Sequence, residues 1–369
     1  MNPQTLVFIL VAPLLLNAVH AEVPNIFQTN TPALASEVNT NFSNLDMKIQ
    51  NNQKKVSDMD VFNIDCDLDP NALISAVDSG QRNIFIQQGQ CNGGVKINGD
   101  YKIDGAGQSA ASILGNGAYY QALRVIAGTL FLSNVTVSGQ AGGISALTAF
   151  GNSYVYMAEV DLFCNGAQLI ANIHSSHVYV DYVNADALNC ASGMFEVTNG
   201  SLLHLNSNNS FKNGSLNSAL VEVTNNSVIQ NRGTNNEIIN NFSDGMSIIL
   251  RRNSTGDLGD TIIAGHVQVQ SKSTFDYSGA NWLPDSFGEQ NLILVDASAS
   301  LSVAVPDRFV LNAYRRSQFQ VNAPLAVNAD LDMKQGSTLY LEGGPLDPSA
   351  GVRCNEDAAD STSCVFNSF

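Results

Sequence analysis

One module recurs through this chain and limits what it can fold into. Met194-Phe-Glu-Val-Thr-Asn-Gly-Ser-Leu-Leu-His-Leu205 reads as a strand, a polar corner, a serine and a second strand. The same order returns around Ser227, Ser273 and Ser337. The small residue after the corner marks each copy: Gly128, Ser153, Ser176, Ser201, Ser227, Ser254, Ser273, Ala299, Ser317 and Ser337. Most steps are 23 to 27 residues, with shorter ones late in the chain. At about 3.3 Å per residue, a coil of this length holds three short strands and three corners. Apolar residues alternate on both sides of the corner, at Phe195 and Val197 before it and Leu203 and Leu205 after it. That period of two means one buried and one wet face, and no helical period competes with it. The expectation is an all-β, three-faced parallel β-helix, each coil pairing its backbone with its neighbours.

Serine and asparagine suit such corners because short polar side chains bond backbone groups that lack sheet partners. Asn165, Asn189 and Asn213 mark a second corner at even spacing. Stacked coils would align these side chains into ladders.

Residues 1–21 carry no charged side chain, and the apolar run Leu6 to Leu16 is followed by Val19-His20-Ala21. This is the pattern of a secretory signal peptide, although no basic residue precedes the run. The run is too short to span a bilayer, and no later segment is apolar enough to do so. No cysteine near the cleavage point offers a lipid anchor. The expected location is therefore secreted: extracellular, cell surface or periplasm. The net charge of −16 argues against nucleic acid or an anionic membrane as partner.

Residues 22–60 form a Pro/Asn-rich lead and an amphipathic helix. Val38, Phe42, Leu45, Ile49, Asn52, Val56 and Met59 follow an a/d seam with one polar register residue. Such a narrow seam suits a helix partner, so 33–59 is expected to self-associate. Residues 61–345 are assigned to the β-helix and 346–369 to a polar C-terminal tail. Asp69-Pro70 through Gly80 reads as a capping helix, with Asp69 as N-cap and Leu73, Ile74 and Val77 on its apolar face. Strands are expected at Asn83–Gln87, Gly94–Ile97 and Tyr101–Ile103.

Six cysteines in an exported chain imply disulfides. Cys66 and Cys91, and Cys164 and Cys190, are each separated by about one coil, which places each pair on adjacent rungs. Cys354 and Cys364 would close a loop in the tail. No CxxC or clustered histidine spacing supports a metal site.

The segment Ile64-Asp-Cys66, Leu73-Ile, Ile84-Phe-Ile, Gly89-Gln-Cys91-Asn-Gly, Ile97 and Tyr101-Lys-Ile-Asp-Gly-Ala-Gly resembles the opening of secreted right-handed β-helix proteins of the pectate-lyase-like superfamily. The resemblance is specific over about residues 61–107 and rests on the repeat alone over 121–341. It implies a right-handed three-faced coil. It does not settle function, because the superfamily holds lyases, glycoside hydrolases, esterases and non-catalytic surface proteins. The Thr-Pro-Ala-x-Ala-Ser-Glu-Val-Asn-x-Asn-Phe stretch also resembles a lead-in before coiled segments of bacterial exported and phage-tail-like proteins, which implies a trimer.

Catalytic signatures are missing. The chain has none of the Asn-Thr-Asp, Asp-Asp, Gly-His-Gly and Arg-Ile-Lys patterns of galacturonase-like members, no pectin-esterase signature and no Gly-x-Ser-x-Gly. A lyase needs calcium-binding carboxylates and a basic residue, yet no Lys or Arg lies between Arg124 and Lys212. Arg251 and Arg252, with Asp257 and Asp260 nearby, are the best basic candidates, and Arg315 and Arg316 repeat that corner. No catalytic residue, cofactor or metal ligand is assigned, and calcium enters only with a lyase.

One face stands out. The first and third residues after the marker should point outward: Thr129 and Phe131, Tyr154 and Tyr156, His177 and Tyr179, Leu202 and His204, with Asp181 and Tyr182 just beyond. Later the column turns polar at Gln230, Asp257, Asp276 and Gln320. Such a strip serves strand stacking, a subunit contact or glycan binding. The favoured reading is an exported non-catalytic β-helix protein in adhesion, surface structure or glycan recognition, whose partners are an extracellular glycan or surface protein and other copies of itself. The alternative is a polysaccharide-degrading enzyme, lyase before glycoside hydrolase.

Overall fold

The computed structural model describes residues 60–115, 121–213, 219–242, 245–278, 282–283, 290–301, 309–321, 330–333, 337–341, 351–354 and 365–368, together with Met47 and Asn51. The chain divides into Met1–Lys54 and Lys55–Phe369. In the first unit only Met47 and Asn51 are described, both with helical backbone. The expected signal peptide and nearly all of the expected 33–59 helix lie outside the described residues.

The second unit is a right-handed parallel β-solenoid. Its one described helix, Ala72–Asp78, packs Leu73, Ala76 and Val77 into the first coils. The N-cap is Asn71 rather than Asp69. The Asp69 carboxylate instead accepts the N–H of Asn71, two residues on, at 2.9 Å, and Pro70 precedes the helix. The expected early strands appear as Asn83–Asn92, Val95–Ile97 and Asp100–Gly105.

Hydrogen bonding yields two sheets rather than three, of twenty and twelve strands among the described residues. Each coil of the larger sheet carries two columns of strands. In Thr129–Ser138 and Tyr154–Phe163 a single strand runs through both columns and bends at one left-handed residue, Asn134 or Glu159. Tyr182, Asn208, Asn235 and Asp260 hold the same backbone in later coils. One residue is too little to break the ladder, so the two columns count as one sheet.

The other corner is wider. Two successive left-handed residues, such as Asn225 and Asn226 or Arg252 and Asn253, lead from the smaller sheet to the marker serine. Asparagine tolerates this conformation better than most residues, which explains its abundance there. At the first marker no side chain fits: a Cβ on Gly128 would meet the Gly99 backbone at 2.5 Å.

The serines form an internal ladder. The N–H of Ser153 donates to Ser176 Oγ at 3.2 Å, Ser176 to Ser201 at 3.1 Å, and Ser201 to Ser227 at 3.2 Å. The hydroxyls of Ser153, Ser176, Ser201, Ser254 and Ser317 each turn back to a carbonyl of their own corner, Ser254 to Arg251 at 2.7 Å. Burial therefore leaves no polar group unpaired at these positions. The ladder also corrects one marker. The N–H that reaches Ser317 Oγ is that of Ala297, not Ala299, because Thr274 pairs with Ser298.

Alternation places Val155, Met157, Val178, Val180, Phe195, Val197, Leu203 and Leu205 in one continuous interior. Parallel pairing continues into the expected tail, where Gly351–Cys354 joins Asp330–Met333 and Val365–Ser368 joins Thr338–Leu341. Disulfides Cys66–Cys91 and Cys164–Cys190 join neighbouring coils, with Cα atoms 5.0 and 5.1 Å apart. Cys364, the partner expected for Cys354, lies outside the described residues. Replacing Cys164 and Cys190 together by alanine is expected to lower unfolding free energy by about 3 to 4 kcal/mol, from the freed loop entropy. Denaturant melts check this, and a loss under about 1 kcal/mol would contradict it.

Candidate functional site

The outer side of the larger sheet carries the strip in register. Thr129, Tyr154, His177 and Leu202 oppose one another in one line, and Phe131, Tyr156, Tyr179 and His204 in the next. Adjacent strands bring the rings together. Tyr179 stacks on His204 at 4.9 Å, Tyr154 meets His177 at 5.2 Å, and Phe131 lies 6.4 Å from Tyr156. These residues alternate with the interior ones and stand outside the core cluster.

The strip is less open than the sequence implies. Phe131, Tyr179 and Leu202 are only 3%, 5% and 2% exposed. Tyr154, Tyr156, His177 and His204 keep part of their surface in solvent. Burial lowers the His177 imidazole to about 4, and its Nδ1 makes no hydrogen bond among the described residues. His204 also falls to about 4, first through burial and then through the nearby Arg232 charge. Its Nδ1 lies 3.0 Å from Gln230 Nε2. The Tyr156 hydroxyl donates to Asp181 Oδ2 at 3.4 Å. Burial, then the Asp181 charge and this bond, raises the phenol above its usual range.

Beyond His204 the same line runs through Gln230, Asp257, Asp276 and Ser300 to Gln320. Asp257 and Asp276 oppose each other on adjacent strands. Arg232 Nη2 lies 3.3 Å from Asp257. Burial and then the Asp257 charge raise the Asp276 carboxyl above the normal carboxylate range, against bonds to Ser300 and the Tyr277 backbone. Aromatic faces and paired carboxylates thus occupy one axial line.

The Arg251–Arg252 corner does not join these acids. Arg251 Nη1 binds Glu222 at 2.9 Å on the smaller sheet, and Arg252 reaches Asn225. Sequence reasoning missed that Glu222 opposes Glu196. Burial and then this like charge raise the Glu196 carboxyl, with His174 countering. The shared middle glutamate of Phe195-Glu-Val and Val221-Glu-Val was the available signal. Also missed was an interior asparagine pair: Asn209 Nδ2 donates to Asn236 Oδ1 at 2.8 Å, while Asn209 Oδ1 accepts the Val183 N–H. Asn165, Asn189 and Asn213 instead hold left-handed turns.

Among the described residues, no group of three or more His, Cys, Asp or Glu is placed to hold a metal ion, and no helix is long and apolar enough to cross a membrane. No family model matches the chain, and no curated protein or solved structure does, which leaves these side chains themselves to indicate what the face does.

Proposed function

We propose that this is an exported β-solenoid that recognises an extended glycan on the outer face of its larger sheet, without turning it over. The observation that carries the reading is the in-register line Phe131, Tyr156, Tyr179 and His204, which continues into polar groups. Neighbouring strands stand about 4.8 Å apart. That spacing is comparable to one pyranose of an extended chain, so successive sugars meet successive coils. Tyr154, Tyr156 and His204 offer ring surface, backed in turn by His177, Phe131 and Tyr179 from within the stack. In this reading the chain is secreted, belongs with the pectate-lyase-like superfamily as a non-catalytic member with a three-faced coil, and forms a trimer through 33–59. A surface protein bearing such glycans is its natural setting.

Tyr156→Ala is expected to weaken binding to a retained polysaccharide about tenfold, the scale of one anchoring aromatic. Affinity electrophoresis over a polysaccharide panel reads this out. Unchanged binding would remove the strip from the account.

A second reading, a polysaccharide-degrading enzyme, is favoured by one observation. Asp257 and Asp276 stand on adjacent strands in line with the strip, with Arg232 beside Asp257. Two neighbouring carboxylates in different environments are the minimum a glycosidase needs. Calcium would belong to the lyase form of this reading.

A further inference from the structure

The middle coils of the strip carry charge of one sign, with cations only at its margins, where Lys102 opposes Phe131 and Arg232 lies near His204. No Lys or Arg occurs between Arg124 and Lys212, whereas Glu159, Asp161, Asp181, Asp186 and Glu196 fall in that stretch. Four of these belong to the larger sheet. Glu159 forms its corner in one coil, Asp181 ends the first column of the next, and Asp161 and Asp186 lie in the second column. Their hydrogen bonds come from neutral groups. Asp181 accepts the Tyr156 hydroxyl and the Ser207 N–H, the latter at 3.1 Å. Asp161 accepts Asn184 Nδ2 at 3.0 Å, and Asp186 accepts the Leu188 N–H at 2.8 Å and Asn213 Nδ2 at 3.1 Å. The ion pairs among the described residues involve none of these four. Farther along the axis, Arg232 is engaged with Asp257, and the exposed Asp276 has no cation beside it among those pairs.

A ligand for this face must satisfy both features. A polyuronate supplies sugar rings but meets carboxylates of its own sign. A simple polyamine supplies charge but no rings for Tyr154 and Tyr156. A neutral glycan uses the rings and leaves the carboxylates unanswered. A chain of amino sugars with free amines offers ring faces and regularly spaced positive charge together. We infer that the outer face of the larger sheet takes an extended amino-sugar polymer, its rings against Tyr154, Tyr156 and His204 and its protonated amines against Asp161, Asp181 and Asp276. This rests on the glycan reading above and narrows it to a cationic class.

The test uses the mature chain and three oligosaccharides of equal length: oligoglucosamine, its fully N-acetylated counterpart and oligogalacturonate. Calorimetry in mildly acidic buffer, where the amines are protonated, is expected to show binding of oligoglucosamine ahead of the other two. Asp161→Asn, Asp181→Asn and Asp276→Asn should each weaken it by about threefold to fivefold, the scale of an exposed charge pair. Raising salt to about 0.5 M should weaken it further by screening. Thermal melts of the variants establish that they fold, and Tyr156→Ala tests the ring contact independently. Equal binding of the acetylated chain, preference for galacturonate, or indifference to all three Asp substitutions would overturn the cationic class while leaving glycan recognition standing. Failure of all three sugars to bind would also overturn the cationic class, and absence of retention across the polysaccharide panel would overturn glycan recognition itself.

Discussion

Phe195→Ala is expected to lower the unfolding free energy by about 3 to 5 kcal/mol, the cost of removing a large buried ring whose space cannot close. Phe195 is fully buried and stacks on Phe211 at 4.7 Å, joining the smaller sheet to the second column of the larger one. The coil beneath offers Ala171 and Ala185 at the matching positions, so no large neighbour there can move in. Parallel ladders on both sides hold Phe195 between Ala171 and Val221 and restrict backbone collapse. The stacked pair adds about 1 kcal/mol beyond area burial. Guanidinium melts should show a lower midpoint with unchanged slope, whereas Phe163→Ala, at a side chain 39% exposed, should change little. A loss under about 1 kcal/mol for Phe195→Ala would mean that this joint does not carry the coil.

Acid should destabilise the molecule through the strip. His177 and His204 titrate near 4 in the folded chain and near their ordinary 6.5 when unfolded. The unfolded state therefore binds more protons between those values, and stability falls as pH drops from about 6.5 to about 4. Above 6.5 the contribution is fully present. A fully shielded ring with such a shift would account for about 3 kcal/mol. Both rings are partly exposed, so about 2 to 4 kcal/mol for the two together is the expected size. Glu196 and Asp276, whose carboxyls are raised, act in the opposite direction by favouring proton uptake when folded. The informative comparison is thus wild type against His177→Gln with His204→Gln. Urea melts from pH 7.5 down to about 4 should show a flatter pH profile for the double variant. Parallel profiles would show that neither imidazole resists protonation in the folded state.

The fold was largely legible because two signals agreed. Period-two alternation placed Phe195, Val197, Leu203 and Leu205 inside, and the serine spacing gave the coil length. That length also paired Cys66 with Cys91 and Cys164 with Cys190. The two-sheet count was not legible, because the bend inside the larger sheet uses a single residue that is Asn134 in one coil, Glu159 in the next and Tyr182 in the third. Glutamate and tyrosine carry no left-handed signal. The slip from Ala297 to Ala299 arose because both are alanines beside serines and only the hydrogen-bond register separates them. For the candidate face, sequence gave side and order. It did not give burial, since Phe131 and Tyr179 lose solvent to neighbours that a linear pattern does not reveal. The Arg251 pairing with Glu222 spans 29 residues and depends on the same register.

The most direct test of glycan recognition without turnover is a polysaccharide panel that records retention and product release on the same mature chain, with and without calcium. The account predicts retention on a glycan, reduced in Tyr156→Ala, with no new reducing ends and no absorbance from an unsaturated uronate. Product release that survives Tyr156→Ala but disappears in Asp257→Asn or Asp276→Asn would contradict it and make those carboxylates the working groups of a polysaccharide-degrading enzyme.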